Sequence, residues 1–134
     1  MTDVTKRRIG YALSGLVVAF MLFDGGIKLV PLDVVIKATA DLGYPPSAAL
    51  MRGLGVIGLS CTALYAWPRT AMLGAVLLTA YMGGAVATHL RVGSPLFSHV
   101  LFGVYLGVML WGGLWLRDAR LRALLPRSAP AAIE

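Results

Sequence analysis

Cysteine is almost absent. The single one, Cys61, lies inside an apolar run, so neither a disulfide within the chain nor a CxxC redox pair can form. That excludes a membrane thiol–disulfide oxidoreductase working through its own dithiol. Cys61 reads instead as a small apolar packing residue. Charge is also scarce: Asp, Glu, Lys and Arg supply 13% of the 134 residues, where soluble domains carry about 25%. HExxH, a carboxylate-rich cluster and paired cysteines are missing, so no metal site is expected. A Walker loop, a dinucleotide fingerprint and GxSxG are missing too. The net charge is +6, yet no basic helix with interleaved aromatics accompanies it, which argues against a nucleic-acid partner.

Apolar residues are abundant. They make up 58% of the chain, with a mean hydropathy of +0.79. A soluble protein this small has too much surface to cover for such a composition. The expectation is an all-α integral membrane protein, a single transmembrane domain over 1–134, built as a four-helix up-down bundle.

A polar arm, Met1 to Arg8, precedes an apolar stretch from Ile9 to Val30. A bilayer core of roughly 30 Å needs about 20 helical residues, so 9–30 is the first span. Its length, and the lack of a small-x-small cleavage site ahead of a soluble domain, favour a span over a signal peptide. In the connection from Pro31 to Pro46, Val34, Val35, Ile36, Ala38 and Leu42 alternate with Asp33, Lys37 and Asp41. That pattern predicts a short amphipathic helix at the interface, ended by Gly43-Tyr44-Pro45-Pro46. Ser47 is the expected N-cap of the next helix. Further spans follow at about 48–67, 71–90 and 96–116, with a short basic tail at 117–134. Glycine and other small residues recur at four-residue spacing (Gly58 and Thr62; Ala80, Gly84 and Thr88; Gly103 and Gly107), and they predict close helix contacts.

Lys and Arg placement orients the bundle. Lys6, Arg7, Arg8, Arg69, Arg117, Arg120, Arg122 and Arg127 fall on one side, eight in all; Lys28, Lys37, Arg52 and Arg91 fall on the other, four in all. The richer side is expected to be cytoplasmic, with both termini there. The polar residues of the other side then converge. Asp24 and Lys28 end the first span, Arg52 starts the second, His89 and Arg91 end the third, and His99 opens the fourth. A charge at membrane depth costs roughly 2.5–3.5 kcal/mol on insertion scales, so it faces the bundle interior or pairs. The i, i+4 spacing suits an Asp24–Lys28 pair, with Arg52 as the rival partner and snorkelling of the basic residues to phosphates as the alternative. His89 and His99 admit three readings: interfacial caps at a turn, hydrogen-bond donors or proton carriers to a ligand, or paired axial haem ligands, for which no further motif speaks.

The blocks "LGAVLLT", "GGAVATHLR" and "WGGLWLRD.RLR.LLP", with "FDGGIKL" and "LGYPP" earlier, resemble the DoxX-like family of small four-helix bacterial membrane proteins. The resemblance spans nearly the whole chain. It implies a location in the bacterial cytoplasmic (inner) membrane and a role as membrane partner of a redox enzyme, since the family takes its name from the membrane subunit of an archaeal thiosulfate:quinone oxidoreductase. Many relatives carry a Glu in the second helix after "LGV". Here Gly58 stands at that place, which leaves Asp24 as the acidic residue within a span.

Three functions follow as expectations. The first is binding of a lipophilic molecule, with quinone suggested by the resemblance alone, in the outer half of the bundle. Asp24, Lys28, Arg52, His89 and His99 would meet its head group, and Tyr81, Phe102 and Tyr105 would wall it. The second is acid–base chemistry on an apolar substrate (an isomerisation, cyclisation or epoxide opening), with Asp24 as acid or base and a histidine as second group. The third is a scaffold that holds a soluble partner, in which the basic tail binds an acidic partner or anionic lipid. Small-residue faces also leave room for a homo-oligomer, whereas the lack of an inverted repeat argues against a transporter.

Overall fold

A computed structural model describes residues 1–30 and 32–124. Among them every regular element is helical. Helix α1 (Asp3–Leu29) starts well before Ile9. Thr2 caps it, its hydroxyl accepting from the Thr5 amide at 3.2 Å, and Lys6 pairs with Asp3 at 3.5 Å. The polar arm is thus mostly the first two turns of the helix, because Lys and Arg are good helix formers once a cap is present.

Helix α2 (Asp33–Asp41) buries no residue. Its end is fixed by Gly43, which sits at φ +85°. The Gly43 amide donates to Ala40 and the Tyr44 amide to Thr39, the paired bonds that a left-handed glycine after a helix makes possible. Helix α3 (Ala48–Ala66) is capped by Ser47, whose hydroxyl accepts from the Leu50 amide at 3.3 Å. Helix α4 (Ala71–Arg91) follows a tight turn in which the Thr70 hydroxyl donates to the Leu64 carbonyl at 2.7 Å.

The fourth crossing does not begin as an α-helix. Leu96–Val100 forms a π-helical turn, and α5 (Phe102–Arg117) continues from it. The Pro95 carbonyl accepts from both the His99 and Val100 amides, and the wider turn rotates His99 relative to a regular helix. A last short helix, α6 (Ala119–Leu124), replaces the first part of the expected tail; the rest of that tail, with Arg127, lies outside the described residues.

Among the described residues four stretches are long and apolar enough to cross a membrane: Asp3–Leu29, Ala48–Ala66, Ala71–Arg91 and Leu96–Arg117. They pack in a closed ring, α1 against α3 and α5, and α4 against α3 and α5. Leu16, Phe23, Val56, Ile57, Val76 and Val108 face outward, each more than half exposed. In hydrocarbon such a surface carries no penalty, while every backbone polar group stays satisfied inside its helix. The buried centre runs through Val17, Met21, Tyr65, Leu78, Leu110 and Leu114.

Both termini of the bundle lie at one end, and that end is closed. A Cβ on Gly10 would come within 2.8 Å of the Gly113 carbonyl oxygen, and one on Gly113 within 2.6 Å of the Ser14 hydroxyl. Only glycine lets α1 and α5 approach this closely. Tyr65 is fully buried beside them. Its hydroxyl donates to the Leu110 carbonyl at 2.8 Å and meets Ser14 Oγ at 2.9 Å. Arg117 lies over its ring at 4.9 Å. Arg117, Arg120 and Arg122 each donate to backbone carbonyls, of Tyr65, Pro68 and Trp115 respectively, so these cations tie helix ends together rather than hanging free.

The small residues divide into two sets. Gly25, Gly55, Gly103 and Gly113 have close neighbours across helix contacts, and of these the four-residue spacing predicts Gly103. Around Gly83, Gly84 and Gly107 an added Cβ would meet nothing within 4 Å, so these three are not helix-contact residues.

Candidate functional site

At the end opposite the termini the helices splay, and α2 lies across the gap. They enclose a cavity of about 1040 Å³. Phe20, Met21, Met82 and Leu106 form its deep apolar wall, and Val35, Ala38 and Leu42 of α2 form its cover. Phe20 and Phe102 stack edge to face with centroids 4.9 Å apart.

Two polar groups project into this apolar space. On the α1 side, Lys28 pairs with Asp24, and its ammonium also donates to the Tyr81 hydroxyl at 3.3 Å. Tyr81 in turn donates to the Leu54 carbonyl at 3.3 Å, on α3. The pair forms because residues four apart share a helix face. An ammonium has three donors; these bonds use two, and the third can serve an acceptor in the cavity. Asp24 therefore pairs with Lys28. Arg52 is exposed and is not among the residues lining the cavity.

On the opposite side stand the histidines. His89 Nδ1 shares a hydrogen bond with Ser94 Oγ at 3.0 Å, and His99 Nδ1 with Ser98 Oγ at 2.8 Å. The two rings meet edge to face at 5.6 Å. That contact is made by the π-helical turn, which brings His99 back against the end of α4. Both histidines line the cavity.

The cover has its own attachments. Arg91 donates to the Leu42 carbonyl at 2.7 Å, at the C-terminal end of α2. A Cβ at position 43 would lie 2.7 Å from the same guanidinium, so Gly43 supplies both the turn and the space for Arg91. The Thr88 hydroxyl donates to the Gly84 carbonyl and accepts from Tyr44 at 3.2 Å. Beyond these bonds α2 has little packing against the bundle.

Of the residues expected from the sequence, Asp24, Lys28, Tyr81, His89, His99 and Phe102 come together around one cavity. Arg52 and Tyr105 do not; Tyr105 is 45% exposed on the outer face of α5. Ser94, Tyr44 and Thr88 were not anticipated. Tyr44 beside Gly43 is a readable signal, an aromatic residue placed just after a helix stop. Among the described residues no cluster of three or more His, Cys, Asp or Glu could hold a metal ion.

A family model described as the DoxX-like family matches residues 12–113, well over half of the chain and parts of all four crossings. No curated protein and no solved structure matches the chain.

Proposed function

The chain belongs to the DoxX-like family and is a multi-pass membrane protein, and from that premise we propose that it binds a lipophilic small molecule in the α2-covered cavity. Quinone is the first candidate, and the protein would serve as the membrane partner in a redox process. One observation carries the reading: an apolar cavity holding an Asp24–Lys28–Tyr81 cluster on one wall and the His89–His99 pair on another. A few placed donors inside apolar walls are what orient an apolar ligand. A flat ring with acceptor oxygens at two opposite edges matches donors on both walls. The Lys28 ammonium would meet one oxygen and a histidine the other. An imidazole can both donate and accept a proton, which suits these side chains to proton delivery if the head group is reduced. Electrons would come from a partner enzyme, because a single cysteine, Cys61, cannot supply them as a dithiol of this chain.

The excess of Lys and Arg at the terminal end supports an orientation with both termini cytoplasmic, and the cavity would then open toward the outer leaflet of the bacterial inner membrane. Asp24 as catalytic acid or base is the weaker reading, because its carboxylate is held by Lys28.

The test uses protein purified in mild detergent, with extracted small molecules identified by mass spectrometry and decylubiquinone binding measured at equilibrium. Stoichiometric quinone, lost in Lys28→Ala and in His89→Ala, is the expected outcome. A folded protein that carries no quinone and does not bind decylubiquinone overturns the proposal.

A further inference from the structure

A second apolar hollow, of about 450 Å³, lies on the outer face between α4 and α5. It is not a separate feature. Met82, Val86 and Gly103 line both this groove and the covered cavity, so one thin wall divides them. At that wall a Cβ on Gly103 would fall 2.8 Å from Val86 Cγ2. Glycine there keeps the partition one side chain thick.

The groove is kept open by residues that make no helix contact. Gly83 and Gly107 both line it, and an added Cβ at either would meet nothing within 4 Å. Packing of α4 on α5 does not require glycine at these positions, yet glycine is what creates the hollow. One end of the groove is finished with equal care. Trp111 donates its indole N–H to Thr79 Oγ1 at 2.9 Å, and Thr79 donates to the Ala75 carbonyl at 2.8 Å. The polar atoms at that end are thereby satisfied, and the groove presents a dry, apolar floor.

We propose that the α4–α5 groove is the tail subsite of the same ligand whose head group occupies the covered cavity. The ligand is then an amphiphile with a flat or compact polar head and a linear, unbranched or isoprenoid-like apolar tail. It reaches the site sideways from the bilayer, and the Val86 side chain, which closes the partition against Gly103 in this structure, turns aside so that the tail rests in the groove. This deepens the proposed function and rests on it. The occupant is a tail attached to the bound head because the groove shares its inner wall with the polar cavity.

The test uses two photoreactive probes on purified full-length protein in lipid nanodiscs. Both are 2-alkyl-1,4-benzoquinones. One has a diazirine at the end of a decyl chain, the other on the third carbon of a propyl chain. The long probe is expected to label α4 and α5 peptides around Gly83, Val104 and Trp111, and unlabelled decylubiquinone should suppress that labelling. The short probe should label cavity walls alone. Gly83→Leu projects a side chain into the groove from a position whose Cβ meets nothing within 4 Å. It should weaken long-probe binding roughly tenfold, the effect of forcing extra methylenes into a filled site, and leave the short probe unchanged. Gly107→Leu repeats the test from α5 should the first variant not fold.

Long-probe labelling spread over every lipid-facing helix and insensitive to competition, while the short probe still labels the cavity, overturns the tail subsite and leaves the proposed function standing. A groove protected by a second copy of the chain, seen as cross-linked dimer without long-probe labelling, also overturns it. Loss of specific labelling by both probes overturns the subsite and the proposed function together.

Discussion

Tyr65 and Tyr81 make the same kind of bond in opposite settings. Each donates its hydroxyl to a backbone carbonyl of a neighbouring helix, Tyr65 to Leu110 at 2.8 Å and Tyr81 to Leu54 at 3.3 Å. Tyr65 is fully buried, with Ser14 on its hydroxyl and Arg117 over its ring. Tyr81 is half-buried, touches Lys28 and borders a cavity. At the end that carries the termini, glycines let helices close and arginines bond to helix-end carbonyls. Toward the other end Gly25 and Gly55 still bring α1 against α3, but Gly83, Gly84 and Gly107 leave open space on α4 and α5, and a thinly attached helix covers the cavity. Close packing is concentrated at one end and open space at the other, the division expected if the proposed site is to admit a ligand.

The comparison breaks most sharply at the two tyrosines. Tyr65→Ala should cost about 3–5 kcal/mol, because it leaves a cavity where no side chain can collapse and strands the Ser14 hydroxyl. Tyr81→Phe should leave the melting midpoint in detergent almost unchanged and weaken decylubiquinone binding instead. Equal destabilisation by both would refute the division between the two ends.

Glycine variants sharpen it next. Gly113→Leu drives a side chain into Ser14 and the α1 backbone and should cost about 1–3 kcal/mol or more. Gly107→Leu, whose Cβ meets open space, should melt with the native protein. Thermal unfolding followed by circular dichroism measures both.

The cover is the third point of difference. Arg91→Ala removes the bond to Leu42, an exposed charged donor whose contribution water screens to about 1 kcal/mol or less. Amide hydrogen exchange should speed up across Asp33–Asp41 and stay slow in α3 and α5. Dissociation of bound decylubiquinone should quicken. Uniform acceleration over the whole chain would mean that α2 is integral to the bundle and does not act as a separate cover.

Much of this was readable from residue order. Four apolar runs of bilayer length predict four crossings, and the alternation at Val34–Leu42 and the Ser47 cap are present where the sequence places them. Position along the bundle was readable too, since residue number within a span fixes height along the helix axis. Rotation about each helix axis was not. Arg52 and Tyr105 share the height of the cavity but point away from it, because weak amphipathicity in an apolar helix hardly marks which face is inside. The π-helical turn was invisible for a related reason: Pro95 signals a helix start, not its pitch, yet that pitch sets His99 against His89. Small-xxx-small spacing predicted contact for Gly84 and Gly107 and found open space, since the spacing marks a smooth face without saying whether another helix covers it.

Acid tests the closed end most gently. Asp118 lies between α5 and α6, where its carboxylate accepts from the Arg120 side chain and from the Arg120 amide at 2.9 Å. The Arg120 guanidinium, ahead of that backbone bond, holds the Asp118 carboxyl below its ordinary 3.8. A carboxyl depressed on folding contributes stability that is complete above its unfolded value and is lost as pH falls through the folded one. Asp118→Asn should therefore lower the melting midpoint slightly at neutral pH, and the gap to the native protein should close below about pH 3.8. The effect is the smallest of the series, because water reaches Arg120 and screens the pair. A gap that persists undiminished into acid would assign the Asp118 contribution to its backbone bonds, which an amide side chain can partly keep, and would leave the closed end held by Tyr65, the glycine contacts and the arginine–carbonyl bonds alone.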